Sequence, residues 1–403
     1  MGNVKEIVDS SDSQRNQKFA YDDLDRVTDY FGGSNLALQE HYEYDLAGNR
    51  KSATVGGKTY AYEYAPATDF LASVAGPIAK KWQTDASGSL LSDGIHTFSI
   101  DGFRSLRSVT TGTVKVDYLR NGARQRVTKR STDGSATHFV FDENGLLLAE
   151  LDRAGATVTE HIWLAAQPVG VIVNGVAYYV FADHLNTPRL IADTADRARW
   201  RWHSNPFGST IPEENPSGLG KLVYGQRFPG QYYDAESGLH YNYFRDYDPQ
   251  TGRYVESDPI GLCGGINTYG YVGGNPVSRI DPLGLEQCDI DAARITAKRF
   301  LPNLNVGAGP PKADYTGGGW WGEAQIIGRQ PHYDGYIHMT TRFLEPLNLN
   351  MQARVLENYY HEAGHFTWPD AGHDTIYPYA RANLERSWNE YKSLRDKLCK
   401  CKK

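Results

Sequence analysis

One short pattern recurs through most of this chain: aromatic residues alternate with polar ones, then an Asp or Asn leads into a Gly. Tyr42-Glu43-Tyr44-Asp45 runs on to Gly48-Asn49, and Phe139-Val140-Phe141-Asp142 to Asn144-Gly145. Further turn signals are Asp93-Gly94, Asn121-Gly122, Asp133-Gly134 and Asn174-Gly175. Alternation with period two places successive side chains on opposite faces of a strand, so one face can be buried while the other stays wet. Asn-Gly and Asp-Gly supply the positive φ angles of two-residue hairpin turns. The pattern predicts antiparallel hairpins in series from about Tyr21 to Leu285. The repeat is imperfect in length and sequence, as in a spiralling sheet of hairpins.

The 403 residues leave room for two or three domains. Abundant Gly (41) and Tyr (27) beside scarce Met (3) fit short strands and tight turns. A net charge of −6 gives no electrostatic grip on nucleic acid, which is not expected as a partner. No run is long and apolar enough to span a membrane. Four cysteines are too few for a disulfide framework. The polar first residues lack the apolar centre of a secretory signal, so any export is expected to use another route.

Two stretches carry more specific information. The first is Asp183-His184-Leu185-Asn186-Thr187-Pro188-Arg189, followed by Asn205-Pro206-Phe207-Gly208. The second runs from Phe228-Pro229-Gly230-Gln231-Tyr232-Tyr233-Asp234 to Asp281-Pro282-Leu283-Gly284-Leu285. Within it lie Tyr241-Asn242-Tyr243-Phe244-Arg245, Gly252-Arg253-Tyr254, Asp258-Pro259-Ile260-Gly261-Leu262 and Asn275-Pro276. Together they resemble the Rhs/YD-repeat family and its Rhs-associated core, over most of residues 20–285. The resemblance implies a β-rich shell around a variable C-terminal toxin, and self-cleavage just after the closing motif, between Leu285 and Glu286. Two carboxylates, Asp258 and Asp281, have the chemistry to share a proton and activate a water. Arg245 has the charge to hold one of them or to orient the peptide. The family's shells are usually much longer than the part that precedes Leu285 here.

After Leu285 the regular turns stop. Residues 290–301, 348–366 and 379–397 read as helices and Tyr336–Thr340 as a strand, which gives a compact α+β domain. His361-Glu362-Ala363-Gly364-His365 lies on the second helix. Histidines four apart share a helix face and can hold one zinc ion, with Glu362 as base toward a metal-bound water. A third ligand comes from Asp374, Glu385 or His373. Gly372-His373-Asp374-Thr375-Ile376-Tyr377 resembles the aspzincin metallopeptidases, which implies Asp374 as ligand and Tyr377 as donor to the oxyanion. His373 and Pro378 depart from that family's preferences. Glu385 instead would resemble thermolysin-like enzymes. Tyr336–Thr340 is a candidate edge strand for an extended substrate. His184 and His332 read as structural or surface residues, and Trp320-Trp321 as a core cap or pocket lining. Cys288 can pair with Cys399 or Cys401 in an oxidising compartment.

The expected architecture is multidomain: a leading segment 1–20, poorly ordered; an all-β shell of antiparallel hairpins, 21–227; a core with the self-cleavage site, 228–285; and an α+β zincin-like domain, 286–403. The expected activity is a self-processing toxin whose last domain hydrolyses peptide bonds with zinc. Its expected partners are a protein substrate in a target cell, an immunity protein and a component of a secretion system that delivers it there. The rivals are an Rhs shell with a nuclease or deaminase, and a YD-repeat cell-surface binding protein.

Overall fold

A computed structural model describes residues 3–77 and 79–285, with three short strands beyond them at 305–308, 324–327 and 336–339. The chain divides into two compact units, one of residues 3–259 and 266–285, the other of residues 1–2, 260–265 and 286–403.

In the larger unit nearly every strand pairs antiparallel with its neighbour in sequence. An eight-stranded sheet runs in chain order from Glu6–Ile7 to Lys80–Lys81. A thirteen-stranded sheet follows, again in chain order, from Gln83–Thr84 to Ala198–Arg201. The expectation of serial hairpins therefore holds. The expectation of a poorly ordered 1–20 does not: Glu6–Ile7 pairs with Gln17–Tyr21, the second strand of the first sheet.

The turns are built differently from the two-residue hairpins that the Asn-Gly and Asp-Gly pairs suggest. Most are Asp-led loops that close on a bulge. Asp142 Oδ1 accepts hydrogen bonds from the backbone N–H of Asn144 (2.9 Å) and Leu146 (2.7 Å), and the register shifts as the loop closes. The same two-bond pattern recurs at Asp85, Asp101, Asn121, Asp152, Asp183 and Asp193. A carboxylate or amide oxygen can satisfy two amides that a tight loop would otherwise leave unpaired. At Asn121-Gly122 the left-handed residue is Arg124 (φ 68°), and Asn121 is the acceptor that opens the loop. Asn174-Gly175 is a two-residue turn as expected, with both residues at positive φ.

Alternation then sorts the faces. Val171, Val180, Ile191 and Trp200 point into one core, which Tyr247, Tyr254 and Tyr271 complete from the segment after the sheets. Leu239 and Val255 likewise join Phe98, Leu106, Val116 and Tyr118, while Phe207 and Val277 join Phe19, Val27 and Tyr42. Residues 205–259 and 266–277 are thus packed against the inner faces of both sheets. Each fully buried aromatic contributes on the order of 2–3 kcal/mol. Within residues 205–259 lies a four-stranded antiparallel sheet: Tyr232–Asp234, Leu239–Asn242, Arg245–Asp248 and Arg253–Tyr254.

The second unit contributes one three-stranded sheet. Tyr336–Met339 is its central strand, parallel to Asn305–Ala308 and antiparallel to Ala324–Ile327. A strand is present where the sequence predicts one, but it is no edge. Both its sides are already paired, so it cannot take up an extended substrate. The expected helices 290–301, 348–366 and 379–397 lie outside the described residues. Among the described residues, no helix is long and apolar enough to cross a membrane.

Candidate self-cleavage site

The strands Leu239–Asn242 and Arg245–Asp248 are joined by only Tyr243 and Phe244, so Asn242 and Arg245 face each other in register. So tight a turn forces Tyr243 to φ 55°, a conformation uncommon outside Gly, Asn and Asp. The Tyr243 hydroxyl bonds the Ala123 carbonyl at 2.8 Å and helps hold it there. The Phe244 N–H donates to the Leu283 carbonyl at 3.1 Å, which docks the closing motif onto the turn.

Gly284 makes this docking possible. Its φ is 69°, and a Cβ there would lie 2.6 Å from the Asn242 carbonyl oxygen. Gly230 serves the same strap from below, since a Cβ on it would fall 2.0 Å from the Pro282 carbonyl oxygen. Both glycines mark close backbone approach, where any side chain would clash.

The docked strap brings three charged groups together. Arg245 Nη2 lies 2.8 Å from Asp258 Oδ2 and 3.4 Å from Asp281 Oδ2, and all three residues are buried. Arg245 Nε donates to the Gly284 carbonyl at 2.5 Å. Arg245 Nη1 donates to the Thr268 carbonyl at 3.1 Å, and the Asp258 N–H donates to the same oxygen at 2.8 Å. The guanidinium also lies 3.6 Å from the centre of the Tyr254 ring. Arg245 therefore contacts both of the acids singled out from sequence.

Asp281 is the most constrained of them. Its Oδ2 accepts from the Tyr254 hydroxyl at 2.8 Å, and its Oδ1 from the Leu285 N–H at 2.8 Å. Asn242 Nδ2 donates to Tyr254 Oη (2.7 Å) and to the Asp281 carbonyl (2.9 Å). Burial pushes the Asp281 carboxyl up, against the pull of Arg245, Tyr254 and the Leu285 N–H, to about 6. It can hold or release a proton near neutral pH. Burial likewise raises the Tyr254 phenol, keeping it a donor.

Asn242, Tyr254 and Thr268 were not singled out from sequence. Asn242 and Tyr254 sit inside quoted motifs, and a two-residue turn at 243–244 would have placed Asn242 opposite Arg245. Thr268 acts through its carbonyl, which leaves no mark on side-chain identity. His184 is structural, with Nε2 on the Val277 carbonyl at 3.0 Å. Glu286, His332, Trp320, Trp321, Cys288, Cys399, Cys401 and the whole metal set (His361, Glu362, His365, His373, Asp374, Tyr377, Glu385) lie outside the described residues.

The model of one family, the Teneurin YD-shell, matches residues 1–276. Among curated proteins, Double-stranded DNA deaminase toxin A of Burkholderia cenocepacia (strain H111) is 28% identical over 361 residues, covering 69% of this chain and 25% of that protein. Putative uncharacterized protein YibJ of Escherichia coli (strain K12) is 46% identical over 103 residues, 26% of this chain and 42% of that one. Toxin protein Tse5 of Pseudomonas aeruginosa is 38% identical over 122 residues, 30% of this chain and 9% of that one. The chain thus spans less than half the length of each of these relatives. Among solved structures, the crystal structure of TcdB2-TccC3-Cdc42 is similar at 17% identity and a TM-score of 0.49, over 67% of this chain and 17% of that one.

Proposed function

The chain belongs to the Teneurin YD-shell family, and from that premise we propose that it is a toxin-bearing shell protein that cuts its own backbone between Leu285 and Glu286. The observation that carries this reading is the one guanidinium nitrogen that holds both Asp258 and Asp281, with Asp281 in turn holding the Leu285 N–H.

Arg245 stands closer to Asp258 than to Asp281, so its charge chiefly favours Asp258 as the carboxylate. Asp281, raised by burial to about 6, carries the proton. Asp258 takes a proton from a water as the water oxygen adds to the Leu285 carbonyl carbon, and Asp281 protonates the carbonyl oxygen. The tetrahedral centre then collapses. The carbon–nitrogen bond to Glu286 breaks, the nitrogen takes the proton held by Asp258, and the oxygen returns its own to Asp281. The products are a carboxyl group on Leu285 and an amino group on Glu286.

The part released, 286–403, is in this reading a zinc metalloendopeptidase. His361, His365 and Asp374 would hold the ion, with Glu385 or His373 as the alternative third ligand; zinc when bound supplies Lewis-acid activation of water. Glu362 takes and returns a proton, and Tyr377 donates to the developing oxyanion. The spacing of these residues supports the reading. The substrate would be a protein of a target cell, reached through a secretion system, and the producing cell would hold an immunity protein.

A second reading draws on the relatives. One is named a double-stranded DNA deaminase toxin and another, of Bacillus spizizenii, a tRNA3(Ser)-specific nuclease. Residues 286–403 would then act on nucleic acid. Zinc analysis of the full chain, with intoxicated cells examined for cut proteins and damaged nucleic acids, separates the two. The protease reading expects near one zinc per chain, lost in His361→Ala, and cut proteins that disappear with Glu362→Ala. Intact proteins beside damaged DNA or tRNA would favour the second.

A further inference from the structure

A second pair of buried acids lies one residue from Arg245 and two from Asp258, and the cleavage chemistry above does not use it. Asp246 and Glu256 are both buried, and the Asp246 charge acts directly on the Glu256 carboxyl. Glu256 Oε2 accepts the Asp246 backbone N–H at 2.9 Å. The Val255 N–H donates to the Asp246 carbonyl at 3.0 Å. Both backbone groups of Asp246 are therefore held by the dipeptide 255–256. That clamp fixes Arg245 on one side and the run to Asp258 on the other.

Two adjacent buried carboxylates repel when both are charged, and of the two guanidiniums that act on Asp246, Arg120 and Arg126, the second is already paired with Asp234. Among the described residues, Asp246 Oδ1 and Oδ2 and Glu256 Oε1 take no hydrogen bond from an N–H or hydroxyl donor. The facing charges are few. Arg120, on strand Val114–Arg120, stands 3.7 Å from Asp246 Oδ2. Arg126, on the next strand, is paired with Asp234 and lies 4.2 Å over the Tyr241 ring. Asp234 adds negative charge, and Lys129 is 3.2 Å from it. A proton between the two acids satisfies two of the orphaned oxygens and leaves one net negative charge for Arg120. Burial raises both acids, Asp246 to about 6 and Glu256 well above its usual range.

We propose that Glu256, protonated and hydrogen-bonded to Asp246, is a positioning residue for self-cleavage that ties the strand of Arg245 to the segment of Asp258. This rests on the self-cleavage reading. With the proton in place, Glu256 bridges the side chain and backbone N–H of Asp246, and Arg245 Nη2 stays in reach of both catalytic acids. Once it is lost, two buried negative charges repel and the clamp opens.

The test compares Glu256→Gln and Glu256→Ala in the full chain, with wild type and Asp281→Asn alongside. Gln keeps the shape, the acceptor for the Asp246 N–H and a donor to the Asp246 carboxylate. Glu256→Gln is expected to cleave within about twofold of wild type, and Glu256→Ala at least about tenfold more slowly, a factor worth about 1.4 kcal/mol of barrier. With rising pH, wild type should fall with the loss of two protons and Glu256→Gln with one. If Glu256→Ala fails to fold, the rate and pH slope of Glu256→Gln decide alone. A native-like Glu256→Gln chain that cleaves at least about tenfold more slowly than wild type, or a Glu256→Ala chain that cleaves like wild type, would overturn the proposal. Failure of the self-cleavage reading looks different: wild type itself stays whole, or Asp281→Asn is cut at the same bond.

Discussion

Asp281 carries more of the candidate site than any other residue, because its side chain meets Arg245, Tyr254 and the Leu285 N–H at once. Its folded value of about 6 lies above the ordinary 3.8. A raised acid stabilises the fold fully below its unfolded value and loses that contribution as pH rises through the folded one. In an uncut Asp258→Asn background, stability should therefore fall by about 2 kcal/mol between pH 4 and pH 7 through Asp281 alone. Adding Asp281→Asn should remove that part of the slope, as read from urea midpoints; an unchanged slope would show that Asp281 titrates normally. Arg245, Asp258 and Asp281 were legible in the sequence because they lie, in order, in the motifs that resemble the Rhs-associated core. Asn242 and Tyr254 were not, because their role depends on a two-residue turn that puts Tyr243 in a left-handed conformation. A tyrosine gives no sequence signal for that backbone.

At the scale of the element, the recurring device is the Asp-led loop. Its hairpin meaning was legible; its geometry was not. The period-two alternation and the Asp…Gly spacing announce a strand, a turn and a strand. They do not say whether the turn is a two-residue loop or a longer one closed by a bulge. The deciding feature is the Asp or Asn side chain, which accepts two backbone N–H groups and lets residues as unlike as Arg124, Asn186 and Gly145 occupy the left-handed position. Asp142→Ala should thus cost about 1–2 kcal/mol, the value of lost capping bonds in a partly exposed loop. Glu143→Ala, in the same loop, should stay within about 0.5 kcal/mol of wild type. Equal urea midpoints for the two variants would show that the Asp side chain does not hold the loop. The strand at Tyr336–Met339 shows the complementary limit: its residue types predict a strand, but its place between two neighbours depends on pairings that one segment cannot reveal.

Across the larger unit, the two long sheets are local in construction, each strand pairing with the next. The segment after them supplies the long-range order. Arg50 donates to the Gln250 carbonyl, and Arg253 reaches Asn49 and Asp69, spanning about 200 positions of sequence. The sheets were legible as a series because each hairpin carries its own signal. The packing of 205–259 and 266–277 against both inner faces was not, since buried Arg, Asp and Tyr read in sequence as ordinary surface residues until their partners are known. That packing holds Asp258 and Asp281 on one arginine beside Leu285, the arrangement on which the proposed self-cleavage rests. The most direct test is the intact mass of freshly purified full chain, wild type beside Asp281→Asn. Wild type is expected as two pieces, one ending at Leu285 and one beginning at Glu286, and the variant as a single whole chain. A whole wild-type chain, or a variant cut at the same bond, would contradict the self-cleavage reading.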